Sequence, residues 1–298
     1  MTDTTLLTLQ RILDAVQDPL VDDWDPLELG LAVSKLEYPD LDTTQYQKTF
    51  EAWVGQARSV LPAQGTLREQ TRALAEFFRD ELKFEGDRAN YYNLKNSFLS
   101  DVIVRRKGIP ISLSLAFMAL ARGVGLKCVG VAFPGHFLVK LVAHEGLWQF
   151  SSGRERAEDW RQSWFVDPFD GGAFLSVEDC EKRLFEWTRG AVPFGPEVLK
   201  VAHPREVVSR ILRNLRAILS EKEDLARLYW VLTALIQLCP QDRMEALRER
   251  GVLLARTARF QLAIADLKEY LSLSPELDKR QRVEALILHF QGAKDQTN

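Results

Sequence analysis

The alternation of apolar and polar positions divides the chain into a helical front, a strand-rich middle and a helical end. Residues 5 to 17 have apolar side chains at helical spacing. Asp25-Pro26 opens a second helix that is expected to reach about Leu36, with Asp25 as N-cap and Pro26 in the first turn. Tyr38-Pro39-Asp40 breaks it. Asp42 or Thr43 is expected to cap a third helix running to about Leu61, and a fourth spans residues 67 to 83. Together they predict a helical layer that covers a core. Residues 84 to 95 read as a polar, aromatic loop. Asn96 or Ser97 is then expected to cap a short helix ending at Arg106. For Asn96 a contact in a cleft stays open as the second reading.

The stretch from Lys107 to Ala121 is the centre of the pattern. Gly108 is expected to allow a tight turn, and Pro110 suits the first helical position, where a missing N–H is no loss. From Ile111 to Leu120 nearly every residue is apolar or small, so this helix is expected to be surrounded by protein. A β-rich run follows through Phe133. Next come Gly135-His136-Phe137 and a strand in which Val139 and Leu141 alternate with Lys140, the pattern of a half-buried strand. Gly153 to Asp159 is a charged connection. Trp164-Phe165-Val166-Asp167 ends on a carboxylate, Asp170-Gly171-Gly172 signals a turn, and a helix is expected from about Ser176 to Arg189.

Pro193, Gly195 and Pro196 place the main boundary near residue 195. From Pro204 onward the chain reads as all helical, with a period near that of a tetratricopeptide array. Leu247, Gly251, Leu254, Phe260, Ala263, Leu267 and Pro275 fall at the repeat's spacing, and Leu228, Leu232, Leu235 and Pro240 echo its latter half. Leu247 stands where the consensus prefers Trp and Tyr270 where it prefers Ala. A last helix, about Lys279 to Phe290, is expected to cap the array. So few repeats bury little surface, and they are expected to pack on the core.

The order of turn, buried helix, strand with histidine and strand ending in aspartate resembles the transglutaminase core of papain-like proteins. More closely, Tyr91-Tyr92-Asn93, Asn96-Ser97-Phe98-Leu99, Arg105 to Leu113, Phe133 to Val139 and Asp167 to Gly172 resemble the bacterial SirB-type subfamily. The resemblance covers roughly residues 30 to 290. It implies an α+β fold: a helix-rich core with a small antiparallel sheet at 1–195, then tetratricopeptide-like helices at 196–298.

Composition narrows the function classes. Apolar residues make up 46% of the 298 and the net charge is −3, so a real core can form and a nucleic-acid partner is not expected. Arg105-Arg106-Lys107 reads as a solvated helix end. Cys128, Cys180 and Cys239 are widely spaced, with no CxxC pair, which argues against a zinc site or a disulfide framework. No stretch approaches the ~20 apolar residues of a membrane span, and Met1 to Thr5 show no basic region or long apolar run. A cytoplasmic protein without metal or cofactor is the expectation.

In the transglutaminase mechanism, a cysteine at a helix N-terminus is activated by a histidine that a carboxylate orients. By the resemblance, His136 and Asp167 match the second and third positions. The cysteine position is occupied by Pro110, which has no nucleophile. Ser112 lies ~200° around the helix from it and Ser114 about one turn further in. A buried helical serine is expected to bond a carbonyl one turn back. His144, His203 and His289 lack such partners and are expected at the surface. Asp167 also reads as the first residue of a turn through Pro168. The expected function is a non-catalytic scaffold or regulator, a pseudoenzyme that binds a protein partner through its cleft and repeats. The alternative is a serine-dependent hydrolase or acyltransferase using Ser112 or Ser114 with His136 and Asp167. Asn96 and Pro110 complete the candidate cleft.

Overall fold

The computed structural model describes residues 3–15, 24–142, 160–273 and 277–297. The expectations for His144, the charged connection at 153–159 and Pro275 fall outside them. The fold is α+β, with twelve α-helices and six short strands among the described residues. The chain separates into two compact units, Met1–Val207 and Val208–Asn298.

The first unit begins with the expected helical layer: α1 (Asp3–Ala15), α2 (Pro26–Ser34), α3 (Thr44–Val60) and α4 (Leu67–Glu76). Asp25 caps α2 by accepting the N–H groups of Leu27 and Glu28. Thr66 and Glu69 form a capping box at the start of α4. A π-helical turn, Phe77–Glu81, continues α4 and buries Phe77 and Phe78. Phe78 stacks on Phe84 at 4.3 Å.

Around this layer sits α6 (Pro110–Gly123), buried from Pro110 to Ala121. Burying a Leu or Phe side chain contributes about 1.5–3 kcal/mol, so a helix covered on every side is a main source of the unit's stability. It packs against α2, α3 and α5 (Leu99–Arg105) on the helical side. Its other side meets an antiparallel sheet of β3 (Cys128–Val131), β4 (Leu138–Leu141), β5 (Phe165–Asp167) and β6 (Ala173–Leu175), in that spatial order. The helix α7 (Val177–Thr188) follows, with Ser176 and Asp179 in a capping box at its start. Behind the sheet, Val131, Phe133, Leu138, Phe165, Leu184 and neighbours form one apolar cluster.

Four local expectations change. Lys140 is only 5% exposed, so β4 is covered on both faces. Gly108 lies in β2 (Lys107–Gly108), paired in parallel with β1 (Glu85–Gly86). Its φ is ordinary; an added Cβ would come 2.7 Å from the Ser112 hydroxyl, so the position requires space. Arg106 is not solvated: it ends α5 in the left-handed region and its guanidinium lies over Trp53 and Phe84 at 4.1 and 5.0 Å. His203 is engaged, its Nδ1 accepting the Arg205 N–H at the head of α8 (Pro204–Glu221).

In the second unit α9 (Leu225–Leu238), α10 (Arg243–Arg256), α11 (Phe260–Leu273) and α12 (Leu277–Thr297) pack on one another in sequence. Leu247, Leu254, Ala263 and Leu267 are buried as the repeat pattern requires. At Gly251 a Cβ would sit 2.9 Å from Leu267, so this glycine sets the close approach of α10 and α11.

Candidate functional site

Sheet register builds the site. Pairing of Val139 with Val166 carries the start of β4 alongside the end of β5. His136 stands two residues before β4, after a turn in which Gly135 has φ +72°, a conformation that favours glycine. Asp167 is the last residue of β5. The His136 Nε2 lies 2.9 Å from Asp167 Oδ2. A carboxylate only accepts, so Nε2 carries the hydrogen and a neutral ring keeps its lone pair on Nδ1. Nδ1 has no hydrogen-bond partner among the described residues.

Asp167 is fully buried and saturated. Oδ1 accepts the N–H groups of Phe169 and Asp170, capping a short 3₁₀ turn at Pro168–Asp170. Oδ2 also accepts from Arg183 at 2.7 Å. The turn reading and the histidine-partner reading of Asp167 therefore hold together, one per oxygen. Arg183 bonds Asp170 as well, at 2.9 Å, and Arg88 reaches the other Asp170 oxygen at 2.7 Å. The His136 ring is walled by Phe169 and Trp187, with centroids at 5.8 and 5.1 Å, and only 7% of the residue is exposed.

Arg183 and Trp187 escaped the sequence reading. Both lie on the face of α7 that carries Cys180 and Leu184, and that i, i+3, i+4, i+7 spacing was the available signal. Cys180 and Leu184 on that face are buried while Trp187 keeps 45% of its surface exposed, and the spacing does not say what the face meets.

Pro110 is at the first position of α6, and the N-cap residue of that helix, Ile109, has no side chain able to cap it. Ser112 is held away from His136. Its hydroxyl donates to the Asn96 carbonyl at 2.6 Å, lies 3.1 Å from the Ile109 carbonyl and accepts the Ile109 N–H at 3.1 Å. The Ser114 hydroxyl faces the Phe137 carbonyl at 3.4 Å, not a carbonyl of its own helix. That contact puts the first turns of α6 beside the residue after His136. Neither hydroxyl bonds the imidazole. Ser112→Ala is therefore expected to cost about 1–3 kcal/mol, because it leaves a buried N–H and a buried carbonyl unpaired. Ser114→Ala, losing one long bond, is expected to cost less, about 1 kcal/mol or under. Paired urea titrations of the two variants measure the difference.

Asn96 caps no helix. The cap of α5 is Phe98, without a side-chain bond, and Ser97 does not supply one. Asn96 is fully buried instead. Its amide donates to the carbonyls of Asn90 and Tyr91, and its Oδ1 accepts from Arg105 at 2.8 Å. Arg105 continues to Asp87 at 3.0 Å. Burial pushes the Asp87 carboxyl up, but the bonds from Asn96, Asn90 and Arg105 outweigh it and hold the group below its ordinary value. So Asn96 ties the aromatic loop to α5 and, through its carbonyl, to Ser112. The thiols are remote from reactivity: burial pushes Cys128 and Cys180 up to about 12. Among the described residues no group of His, Cys, Asp and Glu is arranged to hold a metal ion, and no helix is long and apolar enough to cross a membrane.

Residues 44–213 match the model of a family described as the transglutaminase-like superfamily. The chain belongs to that superfamily. The matched stretch contains Pro110, His136 and Asp167, and a tetratricopeptide-repeat model matches residues 215–287. Relatives match over most of the chain: a UPF0162 protein of Xylella fastidiosa is 29% identical over 302 aligned residues, with 100% of both chains covered. Protein SirB1 of Salmonella typhimurium is 25% identical over 258 residues, covering 85% of this chain and 86% of its own. These two bear out the SirB-type resemblance. F-box only protein 21 of Homo sapiens is 30% identical over 211 residues, covering 70% of this chain and 30% of its own. No solved structure matches.

Proposed function

We propose that the chain is a non-catalytic transglutaminase-like scaffold or regulator, which binds a protein partner through the cleft beside His136 and through its helical repeats. The observation that carries the reading is the occupation of the nucleophile position by Pro110, at the head of α6, while the hydroxyls of Ser112 and Ser114 are committed to backbone groups. The His136–Asp167 pair then serves as a buried polar lock that holds the turn at 168–170 and the aromatic walls of the cleft. We take the boundary near residue 195 to divide this labour, with the core before it and the repeats after it. Repeats of this type make extended surfaces suited to peptides. The absence of a disulfide at Cys128, Cys180 and Cys239 among the described residues supports a reducing, cytoplasmic setting.

Two measurements on the full chain test the reading. A fluorophosphonate probe is expected to leave Ser112 and Ser114 unlabelled. Labelling that disappears in Ser114→Ala or Ser112→Ala would establish the serine enzyme instead. Benzoylphenylalanine introduced in place of Tyr92, which is 65% exposed beside Tyr91, is expected to give a discrete protein adduct on irradiation in cells. Absence of any adduct from Tyr92 and from Trp230 in the repeats would count against partner binding.

A further inference from the structure

At the other end of α6 from His136, α3 and α6 border a groove of about 770 Å³, within the ~300–1,000 Å³ of ligand sites. Leu27, Phe50, Val54 and Ala119 give it an apolar floor, Glu51 and Arg58 stand along the α3 side, and Asp25 before α2 and Arg122 of α6 line the rest. Between Glu51 and Arg58 lies Gly55, in the interior of α3. Glycine weakens a helix interior, so it needs a reason there. Two other glycines of this unit have one. A Cβ at Gly30 would lie 2.4 Å from Leu99, and one at Gly123 would lie 2.3 Å from Val54. A Cβ at Gly55 would meet nothing within 4 Å among the described residues beyond its own stretch of α3. The open space belongs to the groove.

The charges are ordered. Glu51 is one turn before Gly55 and Arg58 is three residues after it, which sets them ~10 Å apart along the helix. Arg58 also donates to the Gly123 carbonyl at 2.8 Å, which holds the basic end in place. Acid, gap and base at i, i+4 and i+7 match the residue spacing of a second helix laid along α3. We propose that this groove binds a helical segment of a protein partner. The segment seats an apolar side chain over Gly55, a cation on Glu51 and a carboxylate on Arg58. The proposal does not depend on the state of the His136 cleft.

The probe is a fluorescein-labelled, alanine-based peptide of about 15 residues, long enough to hold some helix in water, with Lys, Leu and Glu at i, i+4 and i+7. Anisotropy titrations use the full chain. The peptide is expected to bind about tenfold or more tighter than a version with Ala for Leu and than one with Glu at both charged positions. Gly55→Trp, which fills the groove, is expected to weaken it by a similar factor, and Gly55→Ala, a smaller change that favours helix, is expected to keep most of the affinity. Glu51→Lys makes both ends basic and is expected to reverse the preference toward the doubly acidic peptide. A merely structural role for Glu51 would not produce that exchange. No binding of the first peptide, binding indifferent to Gly55→Trp, or an unchanged preference in a folded Glu51→Lys protein would each overturn the proposal.

Discussion

Pro110→Cys is expected to create a thiol that alkylates with iodoacetamide at about pH 6 at least ~10 times faster than any native cysteine of the chain. Position 110 opens a helix of 14 residues, whose dipole favours a thiolate at its head. The Ser114–Phe137 contact holds the first turns of that helix beside His136, and an imidazolium there would favour the thiolate further. The background is low, because Cys128 and Cys180 are pushed up to about 12 and Cys239 is fully buried. The fold should accept the change, since proline in the first turn supplies a fixed φ and no hydrogen bond. Adding His136→Ala should move the reactivity toward the ~8.5 of a free cysteine. A rate that follows an ordinary thiol profile and ignores His136 would mean the two positions do not converge. The triad ancestry of His136 and Asp167 would then give way to a purely structural account.

What could be read in the sequence follows from how far each contact reaches along the chain. Caps are local, so Asp25-Pro26 and Ser176 mark the starts of α2 and α7 correctly. The burial of α6 is written in its own composition. The His136–Asp167 pair spans 31 residues and is legible only through a resemblance, because periodicity does not say which strand lies beside which. Asn96 reads wrongly as a cap for the same reason: its sequence neighbours suit a cap, while its bonds run to Arg105 and to the Ser112 hydroxyl. Charged residues are the hardest. Arg106 and Lys140 read as solvated by type, yet Lys140 is buried and Arg106 is drawn in by partners on other elements. Arg106 lies on two aromatic rings, and Arg183 joins two carboxylates that belong to a different turn.

Asp167→Ala is expected to cost the first unit about 3–5 kcal/mol, the loss usual when one partner of a buried charge pair is removed. The carboxylate accepts from the Phe169 and Asp170 N–H groups, from Arg183 and from His136, and alanine leaves all of these donors without an acceptor in a fully buried position. Asp167→Asn keeps an oxygen for the 168–170 turn but sets an amide N–H₂ against Arg183 and His136. It is expected to lose less, about 1–3 kcal/mol. Urea unfolding followed by the fluorescence of Trp160, Trp164 and Trp187 reports on this unit. An alanine variant as stable as the parent would contradict the account of Asp167 as a structural lock. The comparison with Pro110→Cys then becomes informative, because the two ask different things of one constellation. A reactive thiol in the Pro110→Cys protein would demonstrate that the geometry of acyl transfer persists around His136. A large loss at Asp167 would show that the same bonds hold the end of β5, the turn after it and α7 together, which fixes the place of His136 whatever residue stands at position 110.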